Sequence, residues 1–138
     1  MDRKELKKAN GDVFFEAEHR AGNSYIYVNW IGIQSLETVM LGGNTILAML
    51  RAKPCPVILN NNHELVGPWN EGAAYMGSSW APKAKLYGIK QFLQVLAPGI
   101  YGRRSFQDFQ NKAQQQFQIE TFETDEEAIS WLQAHLVQ

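Results

Sequence analysis

The hydrophobic pattern of the chain switches several times between the period of a β-strand and the period of an α-helix. Residues 12–19 (DVFFEAEH) and 25–32 (YIYVNWIG) are rich in apolar and aromatic side chains, and the AGNS between them is rich in turn formers. Two such runs on either side of a short turn favour a hairpin. We therefore expect the fold to begin with two antiparallel strands.

The next segment has the pattern of a helix with one buried face. After Ser35, a suitable N-cap residue, apolar or small residues recur at steps of three and four. These residues are Leu36, Val39, Met40, Gly43, Leu47 and Leu50. Pro54 should end the helix, because proline lacks a backbone N–H and restricts the residue before it. Gly42 and Gly43 lie mid-helix, outside any phosphate-binding glycine pattern, so we expect them to permit close packing.

A strand and a second helix are expected to follow. PVIL at 56–59 is a short continuous apolar run, typical of a central strand that is covered on both faces. Pro68 fits the first turn of a helix, where its missing N–H has no cost. The residues expected on the buried face of that helix are Trp69, Ala73, Met76 and Trp80. Pro82 interrupts this pattern, and KAKLYG is expected to add one or two further helical turns.

The C-terminal part predicts another strand, a polar helix, a strand and a final helix, at 90–99, around 105–117, at 118–122 and from 124 onward. Thr124 stands three residues before Glu127, which is the spacing of a capping box. Behind it, apolar residues line one face of the helix. They are Ala128, Ile129, Leu132 and Leu136.

The resulting element order is β-β-α-β-α-β-α-β-α. Strands that alternate with helices after an opening hairpin predict an α/β fold: one domain with a mixed β-sheet, mostly parallel, an N-terminal antiparallel hairpin and about four helices. The length of 138 residues is that of one ordinary domain. We expect residues 1–11 to be an N-terminal extension and residues 12–138 to form the domain.

Composition argues against several classes of function. Thirteen basic and fourteen acidic residues give a formal charge of −1, and the basic residues are scattered, so nucleic-acid binding is not expected. No run of eighteen uncharged apolar residues and no signal-peptide pattern occurs, which predicts a cytoplasmic protein without a transmembrane segment. The single cysteine, Cys55, cannot form an internal disulfide.

No catalytic or metal-binding constellation can be assembled from the sequence. Cys55 precedes a buried strand and has no cue for a lowered pKa, and Ser78 and Ser79 lack the context of a nucleophile elbow. The three histidines show no metal-ligand spacing. We therefore expect no catalytic residues, no metal site and no cofactor.

The segment NNNHE at 60–64 follows the apolar run of the central strand. Asparagine tolerates left-handed backbone and often makes turns, so Asn60, Asn61 and Asn62 need no functional explanation. Alternatively, this loop lies where open α/β sheets bind ligands, at the carboxyl end of a central strand. His63 and Glu64 are adjacent and should point to opposite sides of an extended loop, which disfavours a general-base pair.

The four tryptophans are first of all core candidates, because large apolar groups at helical spacing usually pack inside. Trp69 and Trp80 are, however, expected on one helix that borders the asparagine loop. If part of that face is open, together with Tyr75 or Tyr87, it would form an apolar groove with polar groups at one end.

Three segments resemble those of a known family. YVNWIG at the end of the second strand, NNNHELVGPW after the third and ETDEEAISWLQAHL at the end resemble the SpoIIAA-like proteins of the STAS fold (sulfate transporter and anti-sigma factor antagonist), which are often also labelled CRAL-TRIO-like. The resemblance runs from about Val13 to Leu136. It implies that the loop after the third strand carries a phosphorylatable serine or threonine and docks a partner kinase. Here that loop, Asn60 to Glu64, contains neither residue, and asparagine cannot accept a phosphate.

The sequence leads to three functional hypotheses, of which an enzyme ranks lowest because no nucleophile, acid–base pair or metal set can be assembled. The first is a noncatalytic STAS-like regulatory or interaction module that docks a protein partner, or a second copy of itself, through residues 60–69 and the following helix. The alternative is a carrier or sensor of a small amphipathic ligand. The candidate residues for either are Asn60, Asn61, Asn62, His63, Glu64, Trp69 and Trp80.

Overall fold

The computed structural model describes residues 3–136, without the side chain of Leu136. Its strands are β1 (Arg3–Lys7), β2 (Val13–Arg20), β3 (Tyr25–Trp30), β4 (Gly32–Ile33), β5 (Val57–Asn61), β6 (Leu65–Val66), β7 (Gln91–Val95) and β8 (Gln118–Phe122). Its helices are α1 (Leu36–Ala52), α2 (Asn70–Tyr75), a π-helical turn (Met76–Trp80), α3 (Ala81–Leu86), α4 (Ile100–Ala113) and α5 (Asp125–Leu136). The expected packing of Leu136 lies outside the described residues.

The main sheet has six strands in the order β1-β2-β3-β5-β7-β8. β2 pairs antiparallel with β1 and β3, whereas β3, β5, β7 and β8 are parallel to one another. The predicted mixed α/β fold with an N-terminal hairpin is confirmed. A separate pair of two-residue strands, β4 and β6, lies beyond the ends of β3 and β5.

Residues 3–7, which the sequence analysis assigns to the N-terminal extension, form the edge strand β1. The charged residues of this segment hid the strand pattern from sequence analysis. Many proteins place charged residues on edge strands, where they prevent pairing with other chains. Arg3 binds Glu16 of β2 at 2.6 Å, and Leu6 packs against the core. The segment is therefore part of the sheet.

Two hydrophobic cores lie on opposite faces of the sheet. The larger core lies between the sheet and the helices from α1 to α4, and the smaller lies beneath α5. Along β5, Ile58 faces the larger core while Val57 and Leu59 face the smaller one. This alternation places successive residues at the end of β5 in two different environments.

Helix α1 begins and ends as the sequence predicts. Ser35 and Thr38 form a reciprocal capping box, and the helix stops two residues before Pro54. A Cβ added at Gly42 would lie 2.4 Å from Cη2 of Trp30, so this glycine permits close contact between α1 and β3. The expected packing role of Gly42 is confirmed.

The second helical region differs from the prediction at both prolines. Pro68 does not start the helix, because α2 begins at Asn70 with Trp69 as its N-cap. Pro82 does not interrupt it either. Ala81 N–H donates to the carbonyl of Met76, five residues back, and α3 follows the π-helical turn directly, with Pro82 in its first turn.

The predicted capping box of α5 forms only in part. Thr124 Oγ1 accepts from the backbone N–H of Glu127 at 3.2 Å, as expected. The Glu127 carboxylate accepts instead from Glu123 N–H at 2.8 Å, one residue earlier than the pattern requires. The cap nevertheless fixes Asp125 as the first residue of α5.

Candidate functional site

The three asparagines lie at the carboxyl end of β5, in the middle of the sheet. Asn60 and Asn61 are strand residues, and the exposed fractions of Asn60, Asn61 and Asn62 are only 5%, 7% and 1%. None of the three has a left-handed backbone. The expectation of a turn is therefore wrong for Asn60 and Asn61: the strand extends beyond its apolar run because polar partners on both faces satisfy their amides.

Asn60 belongs to a buried hydrogen-bond relay on the larger-core face. Its Oδ1 accepts from Trp30 Nε1 at 2.8 Å, and its Nδ2 donates to Gln94 Oε1 at 2.8 Å and to Asn62 Oδ1 at 3.4 Å. The relay joins β3, β5 and β7 at the same level of the sheet. Such a fully buried polar network fixes strand register, because a slip would leave its amides unpaired.

Asn61 points to the opposite face and joins a second cluster. Its Nδ2 donates to Tyr27 Oη at 2.8 Å and to Asp125 Oδ1 at 2.9 Å, and Tyr27 Oη donates to Asp125 Oδ2 at 2.9 Å. Asn61 Oδ1 accepts from the backbone N–H of His63 at 2.6 Å. The cluster therefore ties β3, β5 and the start of α5 together.

The phenol of Tyr27 is held in its protonated form. Burial, the largest cause, raises its pKa to about 12 and outweighs the lowering effect of the bond from Asn61; the bond to Asp125 adds a smaller rise. Arg20 stacks over the ring at 3.8 Å from its centroid. A phenol with this pKa is not a general base near neutral pH.

His63 and Glu64 occupy a turn that begins at Asn62, since Leu65 N–H donates to the Asn62 carbonyl at 3.1 Å. The expected extended loop is therefore wrong, and both exposed side chains line one surface groove of about 380 Å³. Glu64 Oε2 accepts from Asn29 Nδ2 at 2.8 Å. The groove continues over the cluster of Tyr27, Asn61 and Asp125.

The two tryptophans of the second helical region have different environments. Trp80 is fully buried, and its Nε1 donates to the Gly43 carbonyl at 2.9 Å, so it is a core residue. Trp69 is half-buried and lines a narrow internal cavity beside Asn60 and Asn62. Neither Tyr75 nor Tyr87 lines that cavity, so the expected groove does not include them.

The remaining sequence candidates do not assemble a reactive centre. Cys55 is buried, and burial raises the pKa of its thiol. Ser78 and Ser79 lie exposed on the π-helical turn. Within residues 3–136, no three histidine, cysteine, aspartate or glutamate side chains are grouped as metal ligands.

An exposed apolar surface surrounds the chain where it leaves β6. Ile33 and Val66 are direct partners in the β4–β6 pair and are 66% and 55% exposed. Pro68 shares one surface groove with Leu36 and another with Tyr101, which is 60% exposed. We call these five residues the Val66 patch: Ile33, Leu36, Val66, Pro68 and Tyr101.

Sequence reasoning missed the residues that complete these clusters. Tyr27 of β3 lines the groove, Asn29 of the same strand donates to Glu64, and Gln94 lies opposite Asn60 on β7. A polar residue inside an apolar strand was the available signal for Asn29 and Gln94. Asp125 was detectable only as the first residue after the capping Thr124.

No helix within residues 3–136 has the length and apolar character that crossing a membrane requires. No protein-family model matches the sequence, and no curated protein matches it significantly. Among solved structures, the chain is similar to the anti-sigma factor antagonist SpoIIAA in its unphosphorylated form, with a TM-score of 0.61 and 17% identity over 86% of this chain and 97% of that one. At this identity the likeness concerns the fold, and the chain has the SpoIIAA-like STAS fold.

Proposed function

We propose that the protein is a noncatalytic, STAS-like regulatory module whose Val66 patch docks a protein partner. SpoIIAA, which shares this fold, is by name an antagonist of an anti-sigma factor and therefore acts on another protein. The partner expected here is likewise a protein with a complementary apolar surface. The groove lined by His63 and Glu64 would form the polar rim of the interface.

The observation that carries this proposal is the exposure of Ile33 and Val66 side by side. Paired β-branched residues on a strand normally face a core, whereas these two are more than half exposed. Apolar side chains that are scattered singly need no explanation, but a contiguous patch with a polar rim is typical of interaction sites. Tyr101, a residue type enriched at interface hot spots, extends the patch toward α4.

The backbone that carries Ile33 and Val66 is fixed by contacts with the rest of the fold. Gly32 N–H donates to the Glu64 carbonyl at 2.9 Å, and Leu65, the neighbour of Val66, is 6% exposed and anchored in the larger core. Gly32 and Gly67 adopt φ values of +78° and +75°, which let the chain turn on both sides of the β4–β6 pair. A preorganised surface loses less conformational entropy when it binds.

Phosphorylation within residues 60–64 is not part of the proposal. The segment has no hydroxyl side chain, and Asn61 already bonds to Tyr27 and Asp125. A phosphate-sized anion would also lie beside the carboxylate of Asp125, which would repel it. Binding at the Val66 patch is thus expected to need no modification of this loop.

Site-specific photocrosslinking tests the docking surface. A photoreactive phenylalanine analogue replaces Val66 in one protein and Leu86 in a matched control, because Leu86 is also apolar, is 78% exposed and lies on α3. We expect a discrete heterologous protein to crosslink from position 66 and not from position 86. Crosslinking of the same protein from both positions, or of a second copy of this chain alone, would contradict a dedicated partner surface.

A further inference from the structure

A surface groove of about 410 Å³ lies between the β1–β2 turn and the first turns of α1. Apolar side chains form part of its lining: Phe14 is buried, whereas Ile33 and Leu41 are 66% and 51% exposed. Ile33 also belongs to the Val66 patch, so the groove and the patch are continuous. The apolar surface proposed for docking therefore extends beyond the β4–β6 pair into this groove.

Two consecutive lysines, Lys7 and Lys8, line the same groove. Consecutive residues of a regular strand point to opposite faces, so a regular strand would not place both side chains there. The pairing of β1 with β2 shifts between Leu6 and Lys7, and Phe14 of β2 has no partner opposite it. Such bulges change the direction of neighbouring side chains. The irregular end of β1 thus brings two cationic side chains to one groove.

Hydrogen bonds hold this irregular segment in place. The Phe14 carbonyl accepts from the backbone N–H of Ile31 at 3.0 Å and from Nε2 of Gln34 at 3.1 Å. The Nζ of Lys8 donates to the Ile33 carbonyl at 3.2 Å. The Lys8 ammonium is therefore tied to β4, and two of its three N–H groups are left for a ligand.

The positive charge of the groove is only weakly balanced by the residues that the structure describes. Among them, Lys8 forms no ion pair, and Lys7 Nζ lies 4.0 Å from Oε1 of Glu5, at the limit of an ion pair. Glu37 is the one carboxylate of the groove lining. The groove is thus locally cationic, although the whole chain has a formal charge of −1.

We propose that this groove binds a segment of the partner in which a carboxylate follows an apolar side chain. The inference rests on the proposed function, because it assigns the chemistry of the partner at the docking surface. The apolar side chain would lie against Ile33 and Leu41. The carboxylate would accept from the two remaining N–H groups of Lys8 and from the ammonium of Lys7. A basic segment would be repelled by the same lysines.

A fatty acid fits the groove less well than a peptide segment does. Pockets for small apolar molecules bury most of the surface of their ligand. Here the groove is on the surface, and Ala9, Ser35, Glu37 and both lysines of its lining are exposed. An acyl chain would stay largely in water, whereas a peptide would bury only its apolar side chains and leave its backbone solvated.

Three synthetic hexapeptides test the preference for a carboxylate in ¹⁵N-labelled full-length protein. The acidic probe is acetyl-SLLDDS-amide, and the matched peptides carry asparagine or lysine in place of both aspartates. We expect the acidic peptide to shift the backbone amide signals of Lys8 and Leu41 saturably at millimolar concentration. The asparagine peptide should bind about three- to tenfold more weakly and the lysine peptide not at all. Added salt should reduce the difference, because it screens exposed charges.

Paired lysine variants locate the recognition. Lys7→Gln with Lys8→Gln removes both positive charges of the groove, whereas Lys83→Gln with Lys85→Gln removes two exposed charges from α3 and changes the net charge equally. The first pair should abolish the preference for the acidic peptide over the asparagine peptide, and the second pair should retain it. Melting temperatures confirm folding. If the first pair does not fold, Lys7→Gln alone is used, since it keeps the bond from Lys8 to Ile33.

Several results would overturn the inference: no saturable shift with the acidic peptide, equal binding of the acidic and asparagine peptides, or a preference that persists in the folded groove variant. Tighter binding of decanoate, the probe for a lipid-like ligand, would also overturn it. Crosslinking from position 66 is an independent result. With crosslinking but no peptide preference, docking at the Val66 patch stands and the acidic segment is excluded. A peptide preference without crosslinking supports the groove and removes the Val66 patch from the docking surface.

Discussion

The indole nitrogen of Trp30 donates to Oδ1 of Asn60 at 2.8 Å inside the larger core. The two residues lie 30 positions apart, on the adjacent parallel strands β3 and β5. This bond sets the direction of every other amide in the relay. It connects the buried Trp30 ring with the amide side chains at the carboxyl ends of β5 and β7.

Removing either partner of this bond should destabilise the fold. Asn60→Leu leaves the Trp30 indole N–H and the Oε1 of Gln94 unpaired, which should cost about 2–5 kcal/mol of the free energy of unfolding. Trp30→Phe and the double variant complete a cycle in urea denaturation. We expect the two losses to be less than additive, because the double variant leaves fewer unpaired groups. Additive losses would contradict an energetic coupling between Trp30 and Asn60.

Gly42→Ala should be destabilising although alanine favours helices. The new methyl group would lie 2.4 Å from the Trp30 ring and 2.8 Å from the Phe15 ring, so the core must shift at a cost of about 1–3 kcal/mol. Ala48→Gly, at an exposed position of α1, measures helix propensity alone, about 1 kcal/mol. The melting temperatures of both variants are compared with that of the wild type. An unchanged or higher melting temperature for Gly42→Ala would contradict the close packing.

Tyr27 should make stability fall at high pH. Its pKa is raised from the usual 10 to about 12, so its contribution is complete below pH 10 and is lost as the pH rises through about 12. Absorbance titration should show one late-ionising tyrosine in the folded protein, which Tyr27→Phe removes. Tyr87→Phe is the control. Persistence of the late phase in Tyr27→Phe would assign it to another residue.

Cys55 should be unreactive in the native protein. The thiol is buried, its pKa is raised by that burial, and it donates to the Val57 carbonyl at 3.6 Å. Labelling with a thiol reagent at pH 8 should therefore be slow and should become fast in urea at concentrations that unfold the chain. Rapid labelling without denaturant would indicate local opening at the start of β5.

Much of the fold could be predicted because hydrophobic period, caps and prolines act locally. The strand pattern of β2 and β3, the Ser35 cap of α1 and the apolar run of β5 each depend on neighbouring residues. By contrast, β1 is charged, as sheet edges often are, and β4 and β6 are too short for any period to be visible.

The site was harder to predict because its contacts are long-range. Asn60 is satisfied by Trp30 and Gln94, which are 30 and 34 residues away, so only the strand register shows that it is buried. Asn61 depends in the same way on Asp125, 64 residues away. An asparagine run by itself indicates a turn, but here long-range hydrogen bonds stabilise Asn60 and Asn61 in a strand.

The most direct test of the proposed docking surface is the affinity of the crosslinked partner, once purified, for Val66→Asp and Leu86→Asp proteins in isothermal titration calorimetry. Both changes place a carboxylate at an exposed apolar position, so their melting temperatures should stay near that of the wild type. Val66→Asp should weaken binding at least about tenfold, as expected when a charge is desolvated in an interface, while Leu86→Asp should bind like the wild type. Equal affinities of the two variants would contradict docking at the Val66 patch.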